Sequence, residues 1–171
     1  LLKDWAVKHG ATNNQWHQPE PLSWEQAART HCPGYLSQLR QNSMDKSSWR
    51  RIGFPWSEQL LYRTLTSAGG TLLTTELALT KGVAIHFSGG YLHAHKDWGS
   101  GFCLLNDLAI ACNEILVRHP KLKIVVLDTD VHQGDGTATL FEKDNRVFTC
   151  SIHGERNFPF SKASSNLDIP L

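Results

Sequence analysis

Ile124-Val125-Val126-Leu127-Asp128-Thr129-Asp130-Val131-His132-Gln133-Gly134-Asp135-Gly136 passes directly from hydrocarbon to metal-ligand chemistry. The four apolar residues predict a strand of the buried parallel type, covered on both faces. Asp128, Asp130 and His132 follow at i, i+2 and i+4, a spacing that on an extended chain places three side chains on one face. They stand at the carboxyl end of that strand, where open α/β sheets bind ligands. Two carboxylates and an imidazole at a water-poor strand end need a positive partner. A divalent cation with oxygen and nitrogen ligands meets that need, as zinc does with three protein ligands and one open position. The competing reading is a solvated strand end with acidic caps.

Outward from this stretch, helical and strand patterns alternate. Downstream come a short helix near Thr137 to Lys143 and a strand from Val147 to Ile152. Upstream, Asn106 or Asp107 caps a helix carrying Leu108, Cys112, Ile115 and Leu116, which Pro120 terminates. Before it, Val83 to Phe87 predicts another strand, ended by Gly89-Gly90. Ser57 caps a long helix with Leu61, Leu65, Ala68 and Leu72 on one stripe, in which Gly69-Gly70 either weakens the helical pattern or marks a close backbone contact. Ser23 with Gln26 forms a capping box for a helix from about Ser23 to His31; Pro33-Gly34 is read as its end, with another opening at Tyr35. The alternation predicts an α/β fold with a parallel sheet flanked by helices.

Composition narrows the function classes. The 171 residues suit a single domain, and 17 Lys+Arg against 16 Asp+Glu leave a formal charge of +1. That balance argues against a broad grip on nucleic acid or an anionic membrane, and no run is apolar enough to span a bilayer. The four cysteines, Cys32, Cys103, Cys112 and Cys150, form no CxxC pair. They read as reduced thiols of a cytoplasmic protein, packed as small hydrophobes. The start at Leu1-Leu2-Lys3-Asp4-Trp5 carries no signal-peptide pattern and no initiator Met, so the expectation is one incomplete domain over residues 1–171.

A second cluster, Gly89-Gly90-Tyr91-Leu92-His93-Ala94-His95, follows the Val83–Phe87 segment. Its glycines permit a sharp turn and close approach to a ligand. From the residues alone, His93 and His95 are metal ligands, general bases or plain surface histidines. Read in order, Gly89-Gly90-x-x-His93-Ala94, Gly101-Phe102-Cys103-x-x-Asn106-Asp107, Asp128-x-Asp130-x-His132-x-Gly134-Asp135-Gly136 and Ser151-x-His153 resemble the histone deacetylase superfamily. Arg51-Ile52-Gly53-Phe54-Pro55-Trp56 and Asn157-Phe158-Pro159-Phe160 look most like its bacterial, class IV-related members. The resemblance covers about Thr30 to Leu171.

This resemblance implies an arginase/deacetylase-like three-layer fold, present in part, and a zinc-dependent amide hydrolase acting on acetyl-lysine or a related acylated amine. Asp130 and His132 match two zinc ligands. His93 matches the general base that deprotonates the attacking water and later protonates the amine. Asp135 matches the carboxylate orienting it, and Asp128 the carboxylate behind the first histidine of the family's pair. Asp128, Asp130, His132, Ser151 and Ile152 match a structural potassium site. Phe102 and Phe158 match the aromatic walls of the acyl-lysine tunnel, and Gly101 a backbone contact to the substrate amide. The family's tandem pair is His-His, whereas Leu92 stands first here. The third zinc ligand, an Asp, and the oxyanion-stabilising tyrosine fall in a part of the family domain beyond Leu171. An impaired deacetylase is therefore expected. The alternatives are a non-catalytic module binding acyl-lysine or protein, and a two-manganese ureohydrolase, to which the Gly-Phe-Cys string is ill suited. Whether the chain forms a homo-oligomer is left open.

Overall fold

The computed structural model describes residues 2–12 and 15–171. A short exposed helix, α1 (Leu2–Lys8), leads into α2 (Trp24–Ala28). Ser23 Oγ accepts the Gln26 amide at 3.1 Å, and Gln26 Oε1 accepts the Ser23 amide at 2.9 Å. This reciprocal cap is the one the spacing predicted. Pro33 does not end a helix but opens one, α3 (Pro33–Gln41). A proline in the first turn forfeits no helical hydrogen bond. No periodicity announces α4 (Lys46–Ile52), which is capped by the Asp45 carboxylate and ended by Gly53 at φ 91°.

Ser57 caps α5 (Glu58–Lys81), its hydroxyl accepting the Leu60 amide at 3.0 Å. A Cβ on Gly69 would overlap the Glu20 carbonyl, and one on Gly70 the His86 ring. The glycine pair in this helix therefore does mark close approach by neighbouring chain. Asn106 caps α6 (Asp107–Arg118) through the Ala109 amide at 3.0 Å. Then follow β1 (Ile124–Asp128), α7 (Asp135–Phe141), β2 (Val147–His153) and β3 (Leu167–Pro170).

The sheet is parallel in the order β1-β2-β3. Ile124 pairs with Val147 and Asp128 with Ser151, so the acidic end of β1 lies beside the hydroxyl end of β2. Leu39, Ile52, Leu104, Leu105 and Ile110 centre one buried cluster among the helices. Cys112, Leu116, Val126, Phe141 and Val147 join α6 and α7 to the sheet. Each such Leu or Ile contributes about 1.5–3 kcal/mol through burial.

Two expectations need correction. Val83–Phe87 is not a strand: it pairs with no other segment among the described residues, and Val83 and Ile85 are exposed. Its alternation matches a strand, yet a strand exists only through a partner's hydrogen bonds. Nor is β1 covered on both faces. Val126 is buried against α6 and α7, whereas Val125 and Leu127 are 68% and 61% exposed. Among the described residues, nothing covers that second face.

Candidate active site

The chain leaves β1 through two successive side-chain turns. Asp128 Oδ1 accepts the Asp130 amide at 2.9 Å, and Asp130 Oδ1 accepts the His132 amide at 2.7 Å. Aspartate carboxylates compete in this way with ladder partners, which is why the strand stops at Asp128. Asp130 and His132 thus share a loop, not the strand face that the spacing predicted. Asp130 Oδ1 lies 3.0 Å from His132 Nδ1, and both side chains are partly exposed.

Among the described residues, Asp128 Oδ2 is buried without a hydrogen-bond partner. Burial pushes this carboxyl above its usual range, the Asp130 charge adds to the effect, and the Asp130 amide opposes it. The Ser151 hydroxyl accepts the Gly134 amide at 3.4 Å and meets His153 Nδ1 at 3.0 Å. Ile152, beside it, is half-buried.

The histidine loop is hung from the first residue of α6. The buried Asp107 carboxylate accepts the Gly90 amide at 3.0 Å, the Tyr91 amide at 2.7 Å and the Thr71 hydroxyl at 2.5 Å. Gly89 and Gly90 turn the chain at φ 92° and 77°. Leu92 and His93 are then buried, and His93 Nδ1 reaches Asp135 Oδ1 at 2.7 Å in the first turn of α7. Burial works to raise the Asp135 carboxyl, but hydrogen bonds from His93 and His95 outweigh it and hold the group below the usual carboxylate range.

Around this pair the rings gather. Phe158 packs edge-on to His93 at 4.9 Å and to His132 at 6.1 Å, and His93 stands 5.9 Å from His132. Gly101, at φ 53°, brings backbone against both rings: a Cβ there would lie 2.6 Å from the His93 ring and 3.1 Å from Phe158. Phe102 is 60% exposed and packs against Phe54 at 5.2 Å. The structure therefore gathers His93, Asp135, His132, Asp130, Gly101 and Phe158. Phe102 stands on the rim beside Phe54, and Asp128 and Ser151 lie behind at the strand ends.

Three further residues shape the site. His95, left open by the sequence, is buried and carries the second oxygen of Asp135. Lys162 Nζ donates to Asn157 O, Asn157 Oδ1 and Pro159 O at 2.7, 3.1 and 3.0 Å, bracing the Phe158 loop. His31 donates from Nδ1 to the His95 carbonyl and accepts the Asn106 amide at Nε2. Burial pushes its imidazole down to about 4, so it sits neutral in this role. Nothing local in the sequence joins His31 to partners 64 and 75 positions away.

Among the described residues, no three His, Cys, Asp or Glu converge as a metal-holding group. Asp130 and His132 supply the right donor types for zinc, one oxygen and one nitrogen, but only two of three protein ligands. The orphaned Asp128 Oδ2 is an acceptor suited to a cation.

Comparison with known proteins decides the lineage. The histone deacetylase domain model matches residues 2–168. The chain belongs to the histone deacetylase domain family. The match extends the likeness well upstream of Thr30. The chain is 46% identical over 171 residues to an uncharacterised protein of Picosynechococcus sp., covering all of this chain and 56% of that protein. It is 40% identical over 148 residues to histone deacetylase RPD3 of Saccharomyces cerevisiae, covering 80% of this chain and 34% of that one. The crystal structure of an HDAC homolog from Aquifex aeolicus superimposes with a TM-score of 0.80 at 23% identity, over 99% of this chain and 51% of that chain. The parallel sheet with its helices is thus the deacetylase fold. This chain spans about half the length of the first relative and of the solved structure. No helix among its described residues is long and apolar enough to cross a membrane.

Proposed function

We propose that residues 1–171 form one incomplete deacetylase-type domain, which contributes the general base and two metal ligands to a zinc-dependent amide hydrolase. Its substrate class is an acylated lysine or related amine. The observation that carries this reading is the buried 2.7 Å contact between His93 Nδ1 and Asp135 Oδ1, beside Phe158 and the Asp130–His132 loop.

With Nδ1–H donating to Asp135, His93 Nε2 keeps its lone pair for the proton of an attacking water. The ionised Asp135 then stabilises the imidazolium, which returns that proton to the departing amine. Asp130 and His132 would hold zinc, with a third ligand and the oxyanion donor outside residues 1–171. When bound, such an ion supplies Lewis acidity, polarising the acyl carbonyl and easing ionisation of the water. Gly101 would meet the substrate amide, with Phe158 and Phe102 flanking a neutral acylated chain. Asp128, Asp130, His132, Ser151 and Ile152 would surround potassium, a role favoured by the unpartnered Asp128 Oδ2. Four free cysteines accord with a cytoplasmic setting.

Leu92 favours a second reading, an acyl-lysine-binding module without turnover, because leucine can neither transfer a proton nor donate to Asp128. Calorimetric zinc titration of the wild type, Asp130→Ala and His132→Ala tests the metal assignment. Binding by the wild type and its loss in both variants is expected. Full stoichiometric zinc in Asp130→Ala would sink it. Acetyl-lysine peptide bound without acetate release, and indifferent to His93→Ala, would establish the binding module instead.

A further inference from the structure

Asp135 carries two imidazoles. Its Oδ1 lies 2.7 Å from His93 Nδ1 and its Oδ2 3.2 Å from His95 Nε2. All three residues are buried, with exposures of 5% for His93 and Asp135 and 8% for His95.

His95 is held on every side. Its amide donates to the Trp98 carbonyl at 2.8 Å, and its carbonyl accepts from His31 Nδ1 at 2.8 Å. Its ring lies flat on the Trp98 indole, centroids 3.7 Å apart at 12°. That indole is itself pinned under the Arg51 guanidinium at 4.8 Å, and Arg51 Nε donates to the Gly99 carbonyl at 3.1 Å. His95 Nδ1 stands 2.8 Å from the Thr139 hydroxyl. The Thr139 hydroxyl also lies 3.0 Å from the Gly136 carbonyl; when its one proton turns to His95 Nδ1 and Nε2–H donates to Asp135, a neutral ring satisfies both of its nitrogens.

An aspartate carboxylate has a soft terminal torsion. Held through one oxygen only, it could rotate, and the other oxygen would be buried without a donor. The torsional choice is removed when both oxygens are taken by rings on a rigid turn. We propose that His95 is a positioning residue: by occupying Asp135 Oδ2 it keeps Oδ1 on His93, which fixes His93 in the Nδ1–H tautomer with Nε2 free. The proposal rests on His93 being the proton-transferring group. It adds a third imidazole-side element, His95 on its Trp98–Arg51 support, to the His93–Asp135 pair.

The test is nitrogen-15 NMR of the imidazoles in the chain itself. In the wild type, His93 is expected as Nδ1–H and His95 as Nε2–H. Finding His95 protonated only at Nδ1 would overturn the proposal without any mutation. His95→Phe keeps a ring on Trp98 but removes both nitrogens; the minor Nε2–H tautomer of His93 should then rise about tenfold, the scale of one charge-assisted hydrogen bond. His95→Gln, whose amide can reach Oδ2, should restore the wild-type ratio. Unchanged His93 tautomers in a folded His95→Phe protein would overturn the proposal while leaving the hydrolase reading intact. Turnover indifferent to His93→Ala would overturn that reading and leave these spectra unaltered.

Discussion

Leu92 and Asp128 both press on Gly134: a Cβ added to that glycine would stand 3.7 Å from the leucine Cβ and would overlap the aspartate Oδ2. An apolar side chain thus occupies the neighbourhood of a buried carboxylate oxygen that has no donor among the described residues. Leu92→His supplies one. The variant should be more stable by about 1–3 kcal/mol, the cost of an unsatisfied buried acceptor, as read from urea midpoints. In an Asp128→Asn background the gain should largely vanish. An equal gain in both backgrounds would mean that the histidine stabilises by some other contact.

His31 makes stability acid-sensitive. Unfolded, its imidazole titrates near 6.5; folded, burial lowers it to about 4. Between those values the unfolded chain binds the extra proton, so stability is full above pH 6.5 and falls as pH drops through the window. The loss approaches about 3 kcal/mol by pH 4. Urea unfolding at a series of pH values should show this slope, and His31→Gln should flatten it.

Gly101→Ala places a methyl within 2.6 Å of the His93 ring on backbone at φ 53°. A destabilisation of about 1–3 kcal/mol is expected. The thermal midpoint measures it, and a shift of the Phe158 ring resonances would locate it. Gly10→Ala, also at positive φ but facing open space, provides the control for backbone strain without the clash.

Burial pushes the Cys103 and Cys112 thiols up to about 12, whereas Cys32 is only half-buried. At pH 8 an alkylating reagent should modify Cys32 first and leave Cys103 and Cys112 untouched until the protein unfolds. Mass mapping of the labelled peptides gives the order.

Local chemistry was legible in the sequence, and long-range pairing was not. Ser23, Ser57 and Asn106 announced their helices because a cap is decided within three residues. The strand expected from Val147 to Ile152 is β2, which pairs in register with β1 and packs Val147 beside α6 and α7. Val83–Phe87 carried the same pattern without a partner, so the period misled. β3 was invisible: four mostly exposed residues, tied also to the loop after β1 through the Asp168 carboxylate, which accepts from Gln133 Nε2 at 2.8 Å. At the site, the Asp-x-Asp-x-His spacing encodes successive side-chain turns instead of one strand face, a distinction that periodicity alone cannot make. His95 stayed ambiguous because its partner lies 40 residues away.

The Asp107 carboxylate, which takes the amides of Gly90 and Tyr91 together with the Thr71 hydroxyl, also couples motions. Those two amides can meet solvent only when the opening turn of α6 lets go of them. Deuterium uptake at Gly90 and Tyr91 should therefore follow one shared opening event, and the tempo at which the His93 loop loosens is set by a helix terminus.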